Sequence, residues 1–346
     1  MQAGNEVSPS TDPSGPSEGA ASQWNAVRCR EGSQRGHVES YFLKLNDAEG
    51  RRALWVKATI LVHEGGAPRV AEAWAIAFDR EGRHVAVKQV VPLSRAHFGE
   101  SGLDITVAGL RITPGHLSGE VVNGDQRIAF DLRFTMDAAP LVPFPSARMY
   151  EARLPSSKLV SPHPDSRFVG SYTASGRTIE VDGWHGMQGH NWGTRHAELY
   201  AWSHCNQWDG HDDLVLEGVT ARLKVGPVLA PPLSLVCVRH RGVRYDFNAP
   251  LTLLRARGTI ELRRWTFSAK SALATVSGEL WAETRDFVGL SYENPDGAIT
   301  YCLNSKIARG RIRLSVRGKP DVEALTRAAA LEVGTKDPAH GVTMLA

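Results

Sequence analysis

Tyr200-Ala201-Trp202-Ser203-His204-Cys205-Asn206-Gln207-Trp208 alternates large aromatic or hydrogen-bonding side chains with small or polar ones. Successive side chains of a strand point to opposite faces. A strand over 199–208 therefore puts Tyr200, Trp202, His204, Asn206 and Trp208 on one face, and Ala201, Ser203, Cys205 and Gln207 on the other. A face that is both aromatic and hydrogen-bonding suits the wall of a ligand cavity better than a plain hydrocarbon core. Just upstream, Gly189-His190-Asn191-Trp192-Gly193 has a glycine at each end, which predicts a tight loop.

The same period-two alternation extends in both directions. Short apolar–polar runs separated by Gly, Asp, Asn and Pro predict strands over 39–45, 53–62, 70–78, 85–91, 103–107, 117–121, 127–134, 168–173, 178–184, 199–208, 214–223, 233–239, 243–247, 259–268, 274–283 and 299–316. Glu293-Asn294-Pro295-Asp296-Gly297 is a strong hairpin signal, and Asp209-Gly210-His211-Asp212-Asp213 and Arg239-His240-Arg241 read as hairpin tips. One helix is expected, from Asp321 after Pro320 to Leu331, with Leu325, Ala328, Ala329 and Leu331 as its apolar side. The proline-rich run Ala138-Ala139-Pro140-Leu141-Val142-Pro143-Phe144-Pro145 suggests the domain junction. The expected organisation is a disordered tail over 1–23, a first domain over 24–145 and a second over 146–346 that ends in the helix. Many short antiparallel strands imply sandwiches or barrels, so the chain reads as all-β, two barrel-like domains in tandem with a short C-terminal helix.

Composition narrows the function. The 346 residues suit two domains of about 150 each. Net charge is +3 and no Lys/Arg block tracks phosphates, which argues against a nucleic-acid partner. Cys29, Cys205, Cys237 and Cys302 lie far apart without CxxC or zinc-finger spacing and read as thiols in a reducing compartment. Residues 1–23 lack the apolar core of a secretory signal and the arginines of a transit peptide, and no run of eighteen apolar residues occurs. The expected location is cytoplasmic, with peripheral membrane contact left open. There is no G-x-S-x-G elbow and no Walker or dinucleotide glycine motif, so no cofactor is expected. His185, His190, His196, His204 and His211 crowd one segment beside Asp209, Asp212 and Asp213, but without H-x-H or HExxH spacing, and no metal is expected.

The glycine-flanked run 189–193 followed by the alternating run 200–208 resembles the Asn-Trp-Gly and alternating-Trp signature of the tocopherol cyclase family, and the wider lipocalin-like group that includes carotenoid 1,2-hydratase. His190 and Trp192 match the His-x-Trp-Gly element of the hydratase side. His37-Val38-Glu39-Ser40-Tyr41-Phe42-Leu43-Lys44 with Ala53-Leu54-Trp55-Val56-Lys57 is similar to the opening strands of those proteins, and Ser156-Ser157-Lys158-Leu159-Val160-Ser161-Pro162 is a third, looser patch. The resemblance implies tandem lipocalin-like (calycin-type) barrels acting on an apolar, often prenylated or polyene, substrate. In its cyclase and hydratase members an alkene is protonated and the cation is captured by a phenol or by water. His204 stands where the cyclases carry Gln and Gly189 where hydratase-like members carry Asp, which leaves cyclisation and hydration both open.

Protonating an alkene needs an acid kept neutral until use, and burial in an apolar cavity does this to a carboxyl. Glu39 shares an alternation face with Tyr41 and is the leading acid from sequence, with a solvated strand end or a pair with Lys57 as the plain alternatives. His190 and His204 are candidates to relay a proton or orient an oxygen. The cation needs aromatic faces, each worth roughly 0.5–2 kcal/mol. Tyr41, Trp184, Trp192, Tyr200, Trp202 and Trp208 are candidates for that box, and Asn191 and Asn206 for binding a carbonyl or hydroxyl. The expected partner is a small apolar ligand. A carrier of a lipid or isoprenoid that performs no chemistry is the competing reading, separated by whether an acid reaches the cavity.

Overall fold

The computed structural model describes residues 21–32, 34–225 and 228–346. The tail expected over 1–23 lies outside the described residues as far as residue 20. Two large antiparallel sheets account for almost all regular structure. The first holds β1 (His37–Asn46), β2 (Arg52–Val62), β3 (Arg69–Asp79), β4 (Val85–Pro92), β5 (His97–Phe98), β6 (Ile105–Val107), β7 (Leu110–Thr113), β8 (His116–Asn123), β9 (Gln126–Phe134), β10 (Ser157–Ala174) and β11 (Arg177–Gly193). The rest of the chain supplies β12 (Leu199–Cys205), β13 (Val215–Arg222), β14 (Lys224–Val225), β15 (Val228–Leu229), β16 (Leu233–His240), β17 (Val243–Asp246), β18 (Arg257–Glu261), β19 (Arg264–Lys270), β20 (Ala274–Trp281), β21 (Val288–Glu293), β22 (Ile299–Val316) and β23 (Val322–Thr335).

The first sheet runs β4-β3-β2-β1-β11-β10-β9-β8-β7-β6-β5, and the second β17-β16-β13-β12-β23-β22-β20-β19-β18, with β21 added to β22 and β14–β15 a separate ribbon. Both sheets follow one plan: the first strand lies between the second and the last, β1 between β2 and β11, and β12 between β13 and β23. The first sheet curls into a half-barrel that brings β4 onto β8 and β9, and the second brings β18 against β13 and β16. The fold is all-β, as the alternation predicts.

Two expectations need correction. The segment 321–331 is not a helix. It lies in β23, paired with β22 and β12. Ala324, Thr326 and Ala328 are buried while Glu323, Leu325 and Arg327 are exposed, a period of two, and pairing with β22, joined by β12 from Ala330 on, overrides the helix propensity of the alanines. The change of sheet falls between Gly193 and Leu199, not at 145. The prolines at 140, 143 and 145 form a connector, but one that joins β9 to β10 within the first sheet.

Each sheet buries two faces. Tyr41, Leu43 and Leu45 point into the first curl with Leu54, Val56, Phe130 and Leu132. Ala201 and Cys205 point into the second with Leu216, Val236 and Trp265. The opposite faces meet each other: Phe42, Trp55, Trp74 and Phe78 of the first sheet pack on Trp202, Leu290, Tyr292 and Ile307 of the second. Each large side chain buried there is worth roughly 1.5–3 kcal/mol. Both barrel interiors are therefore filled with core, and the aromatic face of β12 looks into the space between the sheets. Among the described residues no helix is long and apolar enough to cross a membrane.

Candidate active site

A cavity of about 150 Å³ lies between the sheets, lined by Phe42 of β1, Trp55 and Lys57 of β2, Asn191 of β11, Tyr200 and Trp202 of β12, Glu217 and Val219 of β13, Tyr292 of β21 and Glu332 of β23. The pairing register explains the convergence. His204 faces Glu217 and Trp202 faces Val219 across β12 and β13, so even residues of β12 share a side with odd residues of β13. The start of β10, Ser157 to Val160, closes one wall.

Glu217 is one of two carboxyls that line this cavity, with Glu332. It is buried, and Oε1 accepts hydrogen bonds from Ser161 Oγ at 2.9 Å and Trp202 Nε1 at 3.3 Å. Oε2 is buried with no hydrogen-bond partner among the described residues. Burial pushes the carboxyl up to about 7, against the opposing pull of the Ser161 and Trp202 bonds and the Arg244 charge. With both donors on Oε1, the proton of the neutral acid belongs on Oε2.

A second polar group lines the same cavity from the first sheet. The Lys57 ammonium lies 3.8 Å from the centre of the Tyr292 ring, and burial brings it down to about 8 although Glu72 and Glu332 oppose the shift. His196 stacks on Tyr292 at 5.3 Å, and its Nδ1 bonds Asn294 Oδ1 at 3.0 Å. Burial, then the Lys57 charge, lower its ring to about 4. Glu332 Oε1 accepts from Lys306 Nζ at 2.6 Å and Asn304 Nδ2 at 3.1 Å. Burial pushes the phenols of Tyr200 and Tyr292 well above their usual range.

The residues singled out from sequence separate into two groups. Asn191, Tyr200 and Trp202 line the cavity. Glu39 is buried elsewhere, at the end of the first barrel, and does not pair with Lys57. It accepts from the backbone N–H of Arg28 and of Cys29, from His37, from Tyr41 and from His190, at 2.8 to 2.9 Å. Burial pushes its carboxyl up, but the bonds and charges of His190 and His37 outweigh this and hold it well below the usual range. His190 Nδ1 donates to Trp24 O at 2.6 Å, so both ring nitrogens are committed, and the ring stacks on Tyr41 at 4.0 Å. Trp192 packs on Tyr150, and Trp184 on Tyr172 in the first core. His204 Nε2 donates to Pro164 O at 2.8 Å, and Asn206 Nδ2 donates to Asp165 Oδ1 and Gly186 O at 2.8 Å each. Trp208 falls past the end of β12 and belongs to the second core.

The run 189–193 is the end of β11, not a loop, and Gly189 and Gly193 serve close approach. A Cβ at Gly189 would run into the Phe42 ring, and one at Gly193 into the backbone of Ser156. The clustered histidines bond separate partners: His185 Nδ1 donates to Asn206 O, His196 bonds Asn294 and His204 bonds Pro164. Among the described residues no three His, Cys, Asp or Glu side chains are grouped to hold a metal.

Sequence reasoning missed Glu217, Lys57 and Glu332. The signal for Glu217 is a lone carboxylate inside the apolar run Leu214-Val215-Leu216-Glu217-Gly218-Val219. Glu332 directly follows the helix expected over 321–331, where no strand was expected to aim it at a cavity.

These features define a class: an all-β protein of two packed curled sheets, with an aromatic-walled cavity between them that holds a buried carboxyl. The chain belongs to the tocopherol cyclase-like family, whose model matches residues 84–335. An uncharacterized protein of Mycobacterium tuberculosis, Rv0493c, is 29% identical over 283 residues, covering 82% of each chain. Two solved structures share the fold. An AttH-like protein of Nitrosomonas europaea is 12% identical with a TM-score of 0.55, and kievitone hydratase of Nectria haematococca is 12% identical with a TM-score of 0.52. Each alignment covers 94% of this chain and 99% of the other.

Proposed function

We propose that this protein is a cofactor-independent cyclase or hydratase that protonates a carbon–carbon double bond of a small apolar prenyl or polyene substrate held between the sheets. The observation that carries the reading is Glu217: a buried carboxyl with one bonded oxygen and one free oxygen, in a cavity walled by Phe42, Trp55, Tyr200 and Trp202. The family and the hydratase name of one structural neighbour agree with it.

In this reading the alkene π pair takes the Glu217 proton and forms a C–H bond, leaving a tertiary cation on the neighbouring carbon. The indole and phenol rings stabilise that charge without reacting. An oxygen lone pair, from a hydroxyl of the same molecule or from water, closes the C–O bond. The proton it sheds returns to the Glu217 carboxylate. Glu39 is assigned instead to holding the first barrel's end together with His190, Tyr41 and His37. The exposed Leu154 beside cavity-lining Pro155, and the exposed, cavity-lining Leu233, form an apolar lip suited to substrate arriving from a lipid surface. Free cysteines, three of the four buried, fit a cytoplasmic location.

The test uses geranyl- and farnesyl-bearing alcohols, phenols and acids in D2O. Wild type should place one deuterium on a former alkene carbon. Glu217→Gln should lose about 100-fold to 10,000-fold in turnover while still binding the same compounds. Binding by both proteins with no turnover by either would favour a carrier.

A further inference from the structure

Lys57 is buried, with 5% residual exposure, and it faces the cavity with no hydrogen-bond or ion-pair partner among the described residues. Its contacts are the rings of Tyr292 at 3.8 Å, Trp74 at 5.5 Å and Trp55 at 5.8 Å. A buried ammonium ordinarily has a counter-charge. The neighbouring carboxylates are already taken. Glu72 Oε1 pairs with Lys88 Nζ at 2.8 Å and its Oε2 accepts from Trp74 Nε1 at 3.1 Å. Glu332 Oε1 is held by Lys306 and Asn304. Lys57, Lys88 and Lys306 thus share the two carboxylates of Glu72 and Glu332, and while Glu217 is protonated the excess of one positive charge belongs to Lys57.

We propose that Lys57 is a specificity residue that binds the carboxylate head of the substrate, so that the substrate class is a prenyl or polyene carboxylic acid. This rests on the cavity being the substrate site, as proposed above. One excess charge fits a monoanion, whereas a diphosphate would bring two or three negative charges to one lysine. Tyr292 and Trp55 give the first carbons of the chain an apolar bed, and the head group supplies the hydrogen-bond acceptor that the ammonium lacks. Fixing the head at Lys57 selects which double bond lies along the rest of the cavity.

The test compares geranic acid, methyl geranate and geraniol as ligands by calorimetry at pH 7. Wild type should bind geranic acid at least tenfold more tightly than the ester or the alcohol. Lys57→Met, of similar length, should bring the three within about twofold of one another, with ester affinity unchanged, and Lys57→Arg should restore part of the preference. A second arm needs only wild type: the preference should fall as pH rises through about 8, where Lys57 loses its proton, while ester binding stays flat. The other charged and titratable groups around it are Glu72, Lys88, His196, Tyr200, Glu217, Tyr292, Cys302, Lys306 and Glu332; Lys57→Met identifies which part of the pH effect is its own, and Glu217→Gln removes the part due to ionisation of Glu217 near 7. No preference in wild type, binding of none of the three, or a preference that survives in Lys57→Met would overturn the proposal. Absence of deuterium transfer with the preference intact would count against Glu217 chemistry and leave the head-group assignment standing.

Discussion

Trp202 Nε1 donates to Glu217 Oε1 at 3.3 Å across neighbouring strands, and Ser161 Oγ donates to the same oxygen at 2.9 Å. Two donors on one oxygen hold the carboxyl in a single orientation and leave its other oxygen as the acid. In the proposed mechanism the indole has two roles, positioning the proton donor and offering its face to a developing cation.

In the proposed mechanism the acid form of Glu217 is the active one, and this sets the expected pH dependence of turnover. Glu217 is protonated below about 7 and ionised above it. Turnover should be level at pH 5 to 6 and fall tenfold per unit well above 7. A rate that rises through pH 7 would instead assign Glu217 as a base.

The same group should make the wild type less stable in alkali. Its folded-state value of about 7 lies above the ordinary 4.5, so the native state holds this proton more tightly than the unfolded chain. The associated stability is present below about 4.5 and lost as pH rises through about 7, to a total on the order of 3 kcal/mol. Glu217→Gln should therefore gain on wild type between pH 5 and pH 8 in urea unfolding. Equal slopes for the two proteins would contradict a neutral Glu217.

Trp202→Phe keeps a ring and removes the N–H. Losing a hydrogen bond that favours the carboxylate should move the alkaline limb of the pH profile upward. Trp202→Ala should also remove the aromatic face and cost about 3–5 kcal/mol of stability through the void it leaves. A limb unmoved in Trp202→Phe would show that the bond does not control the acid.

Glu39→Gln should destabilise the fold by about 3–5 kcal/mol, because it leaves His190 and His37 facing a neutral amide in a buried site. The depressed carboxyl implies stability present above about 4 and lost as pH falls further. Turnover per folded molecule should be retained. Loss of turnover with full stability would return the acid role to Glu39.

The strands and the shared face of Tyr200, Trp202 and His204 were legible because side-chain alternation is a local property. What the face looks into was not. In one barrel it would face the interior, but here Ala201 and Cys205 fill the second core and Trp202 meets Phe42 of the other sheet edge-on at 5.5 Å. That depends on how two sheets pack, which no local pattern records. Glu39 and Glu217 show the same limit. Both are lone carboxylates in apolar strands, and their opposite shifts depend on groups brought together by the fold: His190, 151 residues away, holds Glu39 down, whereas burial raises Glu217 against the bond from Ser161, 56 residues away. The glycines of 189–193 were visible, but their reason is room for Phe42 and for the backbone of Ser156, not a turn.

The most direct measurement is the titration of Glu217 itself, by carbon NMR of protein labelled at its glutamate side-chain carboxyls, with Glu217→Gln identifying the resonance. One carboxyl signal, absent from the variant, should titrate with a midpoint near 7. A Glu217 signal already ionised at pH 5 would contradict its assignment as the proton donor.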